Sequence, residues 1–215
     1  MSPIEYFDVV NQYGYPTGKT VPRAMAHTEG IRHRSAHVWV LNQKDGKPYV
    51  LLQRRSKHKD SFPDTYDTSS AGHVPAGEVP IRSACRELQE ELGIKATPNE
   101  LSFMGNFEIH TDTMFHGKPF KDNEFDFAYL YTKPVNEIIV QKEELEFAEW
   151  FYLLDVLDAL QLHHPEYVVP LPSICTFLRY LVEHPSLISE NLYQQQVVLA
   201  AIHMFLQNND TTKGV

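Results

Sequence analysis

Residues 72–94 read Gly-His-Val-Pro-Ala-Gly-Glu-Val-Pro-Ile-Arg-Ser-Ala-Cys-Arg-Glu-Leu-Gln-Glu-Glu-Leu-Gly-Ile, and no other stretch of the chain restricts the fold as strongly. Pro80 suits the first turn of a helix, where a missing N–H costs nothing, and Gly93 is placed to end that helix in a left-handed conformation. Between them Ile81, Ala84, Cys85, Leu88 and Leu92 recur at the helical period, so one face must lie against a core. Glu87, Glu90 and Glu91 stand at i, i+3 and i+4, which gathers three carboxylates on one face within a single turn. Like charges at that spacing repel, and only Arg82 and Arg86 stand near enough in sequence to offset them. A hard divalent cation is the ligand such a set suits.

The flanking sequence supplies strands. Residues 7–10 read as a strand running into a turn-rich loop at 11–18, and residues 22–27 suit a short helical turn. Two apolar runs, 37–41 and 49–53, flank Lys44-Asp45-Gly46, and the Asp-Gly pair predicts a hairpin. Residues 63–70 are polar and read as irregular. Beyond the helix, 101–108 and 124–131 read as strands, and alternation in the second puts Glu124 and Asp126 on one face. A strand at 147–153 and a short helix at 155–160 follow. From His163 the texture changes, with Pro165, Pro170 and Pro172 leading to helical patterns at 173–182 and 189–206. The end, 208–215, reads as a disordered tail. Strands around one early helix, with more helices at the end, predict an α/β sandwich with a mixed β-sheet rather than a regular βαβ array. The expected division is a main domain at 1–162 and a helical extension at 163–215, packed on it or forming a homodimer interface.

Composition narrows the partners. With 215 residues, 42% hydrophobic and 22% charged, the chain can bury a full core as one large domain or one with an appendage. A formal charge of −9 disfavours wide contact with a nucleic-acid polymer or an anionic membrane. A small anionic substrate stays open, given a bound cation and the local basic patch of Arg54, Arg55, Lys57, His58 and Lys59. The N-terminus lacks a signal-like apolar run and no stretch is long enough to span a bilayer, so a cytoplasmic protein is expected. Cys85 and Cys175 are too few for a disulfide framework or a thiolate zinc site, and both are expected as buried thiols.

The helix segment is similar, position for position, to the box of the Nudix hydrolases: Gly72, five residues, Glu78, seven residues, Arg86-Glu87, Leu88, one residue, Glu90-Glu91, one residue, Gly93 and Ile94. The resemblance implies a Nudix-type α/β/α sandwich in which Glu87, Glu90 and Glu91 ligate Mg²⁺ or Mn²⁺, with the Ala71 backbone carbonyl as a further ligand. Arg86 would orient a neighbouring glutamate, and Glu78 would be either a ligand or the partner of Arg86. Gly72 and Gly93 are structural in this reading. The general base is Glu87 or a carboxylate from outside the box, Glu144 being the candidate. Arg54 and Arg55 are candidates for substrate phosphate, and Tyr66, Phe107, Phe115 and Phe120 for stacking on a ring.

Residues 27–126 also resemble the Nudix branch that includes isopentenyl diphosphate isomerase and related hydrolases. The resemblance lies in residues 27–34, Leu52-Gln-Arg-Arg-Ser, Lys59-Asp-Ser-Phe-Pro, Gly72-His73 and Asp122-Asn-Glu-Phe-Asp126. It implies a second metal site from His27, His33, His73, Asp122 and Glu124, with inherited scaffold residues that hold no metal as the alternative. Two departures argue against isomerisation. Ala71 stands where the isomerase has a catalytic cysteine, and the box, degenerate in isomerases, is complete here. The expected function is therefore Mg²⁺-dependent hydrolysis of a diphosphate linkage in a nucleoside diphosphate or nucleotide derivative. The alternatives are an isomerase-like isoprenoid diphosphate enzyme or a non-catalytic nucleotide-binding regulator.

Overall fold

In the computed structural model, which describes residues 4–59, 61–115 and 117–209, a hairpin of β1 (Tyr6–Val10) and β2 (Pro16–Pro22) leads into helix α1 (Arg23–Glu29). Strands β3 (His33–Lys44) and β4 (Lys47–Arg55) follow, joined by Asp45 and Gly46 at φ 53° and 71°. Two consecutive positive φ values are what a twisted two-residue hairpin requires, and an Asp-Gly pair adopts them readily. The short β5 (Tyr66–Asp67) and β6 (Ser70–His73) precede helix α2 (Pro80–Leu92). Then come β7 (Leu101–Phe115), β8 (Lys118–Tyr131) and β9 (Leu145–Tyr152), and the helices α3 (Leu153–Gln161), α4 (Leu171–Glu183) and α5 (Leu192–Asn208).

β3 is the central strand of a seven-stranded mixed sheet. Residues His33 to Val40 pair in parallel with β8, whose other edge carries β7. On the opposite side β6 pairs antiparallel with the first half of β3, from Ser35 to Val38, and β4 takes over at Leu41. β4 in turn pairs with β9 and β5.

Alternation along β3 sorts its side chains into two cores. Ala36, Val38 and Val40 face α2, packing with Ala84, Leu88 and Leu92. Trp39 and Leu41 face the other way, into a cluster built by α3, α4 and α5 through Val156, Phe177, Leu178, Val198 and Ile202. The Trp39 ring stacks on Phe177 at 4.7 Å and 3°, and both are fully buried. The expected α/β sandwich with a mixed sheet is thus realised, and α4 and α5, beyond residue 162, join α3 in its second helical layer.

Several local expectations change. The loop at 11–18 contains the start of β2, and the irregular stretch at 63–70 contains β5 and the first residue of β6. β7 and β8 extend past their expected ends into a long hairpin. Cys175 is buried as expected, but Cys85 on α2 is only partly so. The last helix runs to Asn208 and so takes in the first residue of the tail expected at 208–215, of which 210–215 lie outside the described residues. Among the described residues no helix is long and apolar enough to cross a membrane.

Candidate active site

The glutamate helix is fixed at both ends by the residues its sequence advertises. Pro80 occupies the first turn, and Gly93 closes the last at φ 71°, its N–H donating to the Gln89 carbonyl at 3.1 Å. Burial of Leu88 and Leu92 sets the rotation of the helix, which turns Glu87 and Glu91 toward β6. Gly72 meets Glu87 directly, and a methyl group there would overlap the Glu87 side chain. Glu91 accepts the Ala71 N–H at Oε2 (3.3 Å). Arg86 lies 2.8 Å from Glu87 and 3.0 Å from Glu90, and donates to the His73 carbonyl at 3.3 Å. Burial pushes the Glu87 carboxyl up to about 7 against the pull of Arg86, and pushes Glu91 up to about 8. A cation bound beside these two carboxyls would restore their ionised form.

A second constellation lies on the other side of the sheet from α2. His27 at the end of α1, His33 at the start of β3, His73 at the end of β6 and Asp122 on β8 offer ligand atoms all within 4.8 Å of one another. Nε2 of His27 is 3.2 Å from Nε2 of His73 and 3.7 Å from Asp122. Glu124, also on β8, lies 3.2 Å from His73 and 3.7 Å from His33. His33 donates from Nδ1 to the Ile31 carbonyl at 2.9 Å, which leaves Nε2 as the lone-pair nitrogen facing the cluster. Among the described residues that Nε2 and Oδ1 of Asp122 are buried without a hydrogen-bond partner.

Electrostatics point the same way. Burial lowers His27 to about 3 and pushes His33 and His73 down, so all three imidazoles are neutral ligands at ordinary pH. Burial, with the neighbouring carboxylates, lifts Asp122 and Glu124 to about 8. Neutral imidazoles beside carboxyls that resist ionisation form a donor set that fits a divalent cation.

Other sequence candidates are placed elsewhere. Arg54 pairs with Asp64 (3.0 Å) and Glu166 (3.3 Å) and lies over the Tyr66 ring, while Arg55 pairs with Asp67 (3.3 Å) and donates to the Ser61 carbonyl (2.9 Å). Both guanidiniums are therefore engaged within the fold. Glu144 forms an ion pair with Lys59, whose charge also acts on Glu91. Glu78 contributes its carbonyl to Arg34 at 3.0 Å, and the partners of Arg86 are Glu87 and Glu90. Phe107 is buried edge-on against His37, whereas Phe120 lies 5.1 Å from the His27 ring and Phe115 lies next to Phe120. Sequence reading missed Phe7, whose buried ring stacks on His33 and His73, both at 4.7 Å. It also missed His37, which lies 3.2 Å from Asp126. The alternation of β3 was the available signal for His37, since it places that side chain on the same face as His33.

Comparison with known proteins places the chain in a family. A model of the NUDIX domain matches residues 31–171. Nudix hydrolase 3 of Arabidopsis thaliana is 36% identical over 168 residues, covering 76% of this chain and 21% of its own. A Nudix hydrolase of Clostridium acetobutylicum is 34% identical over 143 residues, covering 66% of each chain. This chain thus spans less than two thirds of the length of either relative. Among solved structures, a protein from Deinococcus radiodurans superposes with TM-score 0.56 at 19% identity, over 74% of this chain and 90% of that one. A MutT protein from Methanosarcina mazei gives TM-score 0.53 at 18% identity, over 71% and 95%. These two share the fold.

Proposed function

Because this chain belongs to the Nudix family, we propose that it is a divalent-cation-dependent hydrolase that cleaves a diphosphate linkage in a small molecule, with nucleoside diphosphates and nucleotide derivatives as its substrate class. The observation that carries this reading is the α2 carboxylate face, in which partly buried Glu87 and buried Glu91 lie against β6 and are raised to about 7 and 8. A chain that only bound a nucleotide would gain nothing from carboxyls held so unfavourably.

In this reading Glu87, Glu90 and Glu91 hold Mg²⁺ or Mn²⁺, with the Ala71 carbonyl as a further oxygen donor. A bound ion of this kind supplies charge neutralisation of the diphosphate and a more acidic attacking water. Arg86 bridges Glu87 and Glu90 and keeps both pointed at the same space. Glu87 is the base we favour, since it lies on the α2 carboxylate face against β6, whereas Glu144 is engaged by Lys59. The cluster of His27, His33, His73, Asp122 and Glu124 is read as a second cation site, separated from the first by β6.

That cluster also favours a second reading, an isoprenoid diphosphate as substrate, because its residues match those that the isomerase resemblance implies. Ala71 still leaves no thiol for the proton transfers of isomerisation. One experiment separates the readings. Nucleoside di- and triphosphates, dinucleotides, sugar nucleotides and isopentenyl diphosphate are incubated with Mg²⁺ and the parent protein or Glu90→Gln. Phosphate-containing product from the parent, reduced about 10²-fold or more by the substitution, is the expected result. Migration of the isoprene double bond would overturn the hydrolase reading.

A further inference from the structure

We propose that the buried centre takes two divalent cations, the second held by His37 and Asp126 with Glu124 bridging to the first. This rests on reading the histidine cluster as a metal site. His37, Glu124 and Asp126 offer donor atoms within 4.8 Å of one another, and all three side chains are buried. Glu124 approaches both His33 and His73 and belongs to this set as well, which is the position of a bridging carboxylate.

The separation of His37 Nε2 from Asp126 Oδ1 is 3.2 Å. Neighbouring ligands on an octahedral ion with bonds of about 2.1 Å lie about 3 Å apart, so the pair already has the spacing of two ligands. Oδ1 of Asp126 is held by the Ser35 hydroxyl, while Oδ2 is fully buried and without a partner among the described residues. A buried carboxylate oxygen left bare costs folding energy that a cation would return.

The rear of His37 is anchored as metal-binding histidines are. Its Nδ1 lies 3.4 Å from the Ser173 hydroxyl, which itself accepts the Trp39 indole N–H at 3.1 Å. The Ile31 carbonyl does the same for His33, also at Nδ1. Such outer contacts fix the ring and select the nitrogen that faces the ion. Here the anchor comes from α4, so the second helical layer reaches into the site.

Charge completes the argument. Asp122, Glu124 and Asp126 are three carboxylates whose ionic partners, among the described residues, are histidines. With His37 giving up the proton it shares with Asp126 and every imidazole then neutral, one divalent ion leaves the centre negative and two make it positive, the sign that attracts an anion.

The test uses the full chain with Glu87, Glu90 and Glu91 replaced by glutamine, so that α2 takes no ion and hydrolysis plays no part. Metal-free protein is titrated with Mn²⁺, the bound metal is counted by mass spectrometry, and electron paramagnetic resonance reports spin coupling. Two bound ions with a coupled signal are expected, and Asp126→Asn or His37→Gln should reduce this to one ion with an uncoupled signal. A single uncoupled ion in the unsubstituted centre overturns the proposal, leaving His37 and Asp126 as an ordinary ion pair. So does a coupled pair that survives both substitutions. If neither variant folds by circular dichroism, the count and coupling in the parent decide alone.

Discussion

Gly72 is where the glutamate helix and β6 come closest, because the Glu87 carboxylate occupies the space a side chain would fill. Gly72→Ala should therefore displace Glu87 while leaving the strand intact. We expect kcat to fall about 10²-fold with little change in circular dichroism, measured on whichever diphosphate the parent hydrolyses. A second prediction concerns pH in metal-free protein. Glu91, Asp122 and Glu124 are raised to about 8. A carboxyl whose folded value exceeds its unfolded one opposes folding as it ionises, so this contribution falls as pH rises from about 4.5 to 8. The depressed histidines act in the opposite sense, mainly below about 6.5, where the unfolded chain takes up protons. His37 is opposed by burial but lifted to about 9 by Asp126, and it stabilises the fold below 6.5 and progressively less through 9. Between pH 6.5 and 8 the raised carboxyls and His37 lose stability together, while the depressed histidines, already half titrated in the unfolded chain at 6.5, offset only a small part of it. Metal-free protein should melt at a lower temperature at pH 8 than at pH 6.5, by about 2–4 °C for each kcal/mol lost, and Mn²⁺ should reverse the trend. At this scale the box was fully legible, since its spacing is local. His37 and Phe7 were not, because their roles come from neighbours far away in sequence.

The N-terminal hairpin is the element whose importance sequence concealed. Most of β2 is exposed, so it shows no apolar alternation, and β5 and β6 are too short to display a period at all. Yet the hairpin carries Phe7, which backs His33 and His73, and Asp8, which accepts from Arg34 at 2.8 Å and from the Gly77 N–H at 2.9 Å. It thereby ties the loop before α2 to the strand that bears the histidines. Phe7→Ala should cost about 3–5 kcal/mol in chemical denaturation. Phe7→Leu keeps an apolar backing but loses the ring stacking, and should weaken Mn²⁺ binding about 10-fold in a calorimetric titration while folding normally. The basic patch shows how partners distant in sequence alter the look of a charge. Arg54 and Arg55 looked available in sequence because Asp64, Asp67 and Glu166 reveal themselves as partners only in the folded chain.

At the scale of the whole molecule, the helices after residue 162 cover one face of the sheet, and their seat is Trp39, Leu41, Leu52 and Leu130. The apolar periodicity of 173–182 and 189–206 announced helices, but a period does not say which surface they cover. Ending the chain at residue 162 would bare that seat. The truncated protein should be recovered as aggregate or be digested rapidly by protease, whereas a compact, protease-resistant fragment would mean that 1–162 is a domain in its own right. Both candidate centres meet at β6, where Gly72 looks toward α2 and His73 toward the histidines. One strand is the partition between two compartments, and the two-residue repeat of its backbone is all that assigns each side chain to its room. Inserting or deleting one residue in those four would swap the assignments and empty both rooms in a single event. A length change at this point of the chain therefore acts on the α2 carboxylates and the histidine cluster together.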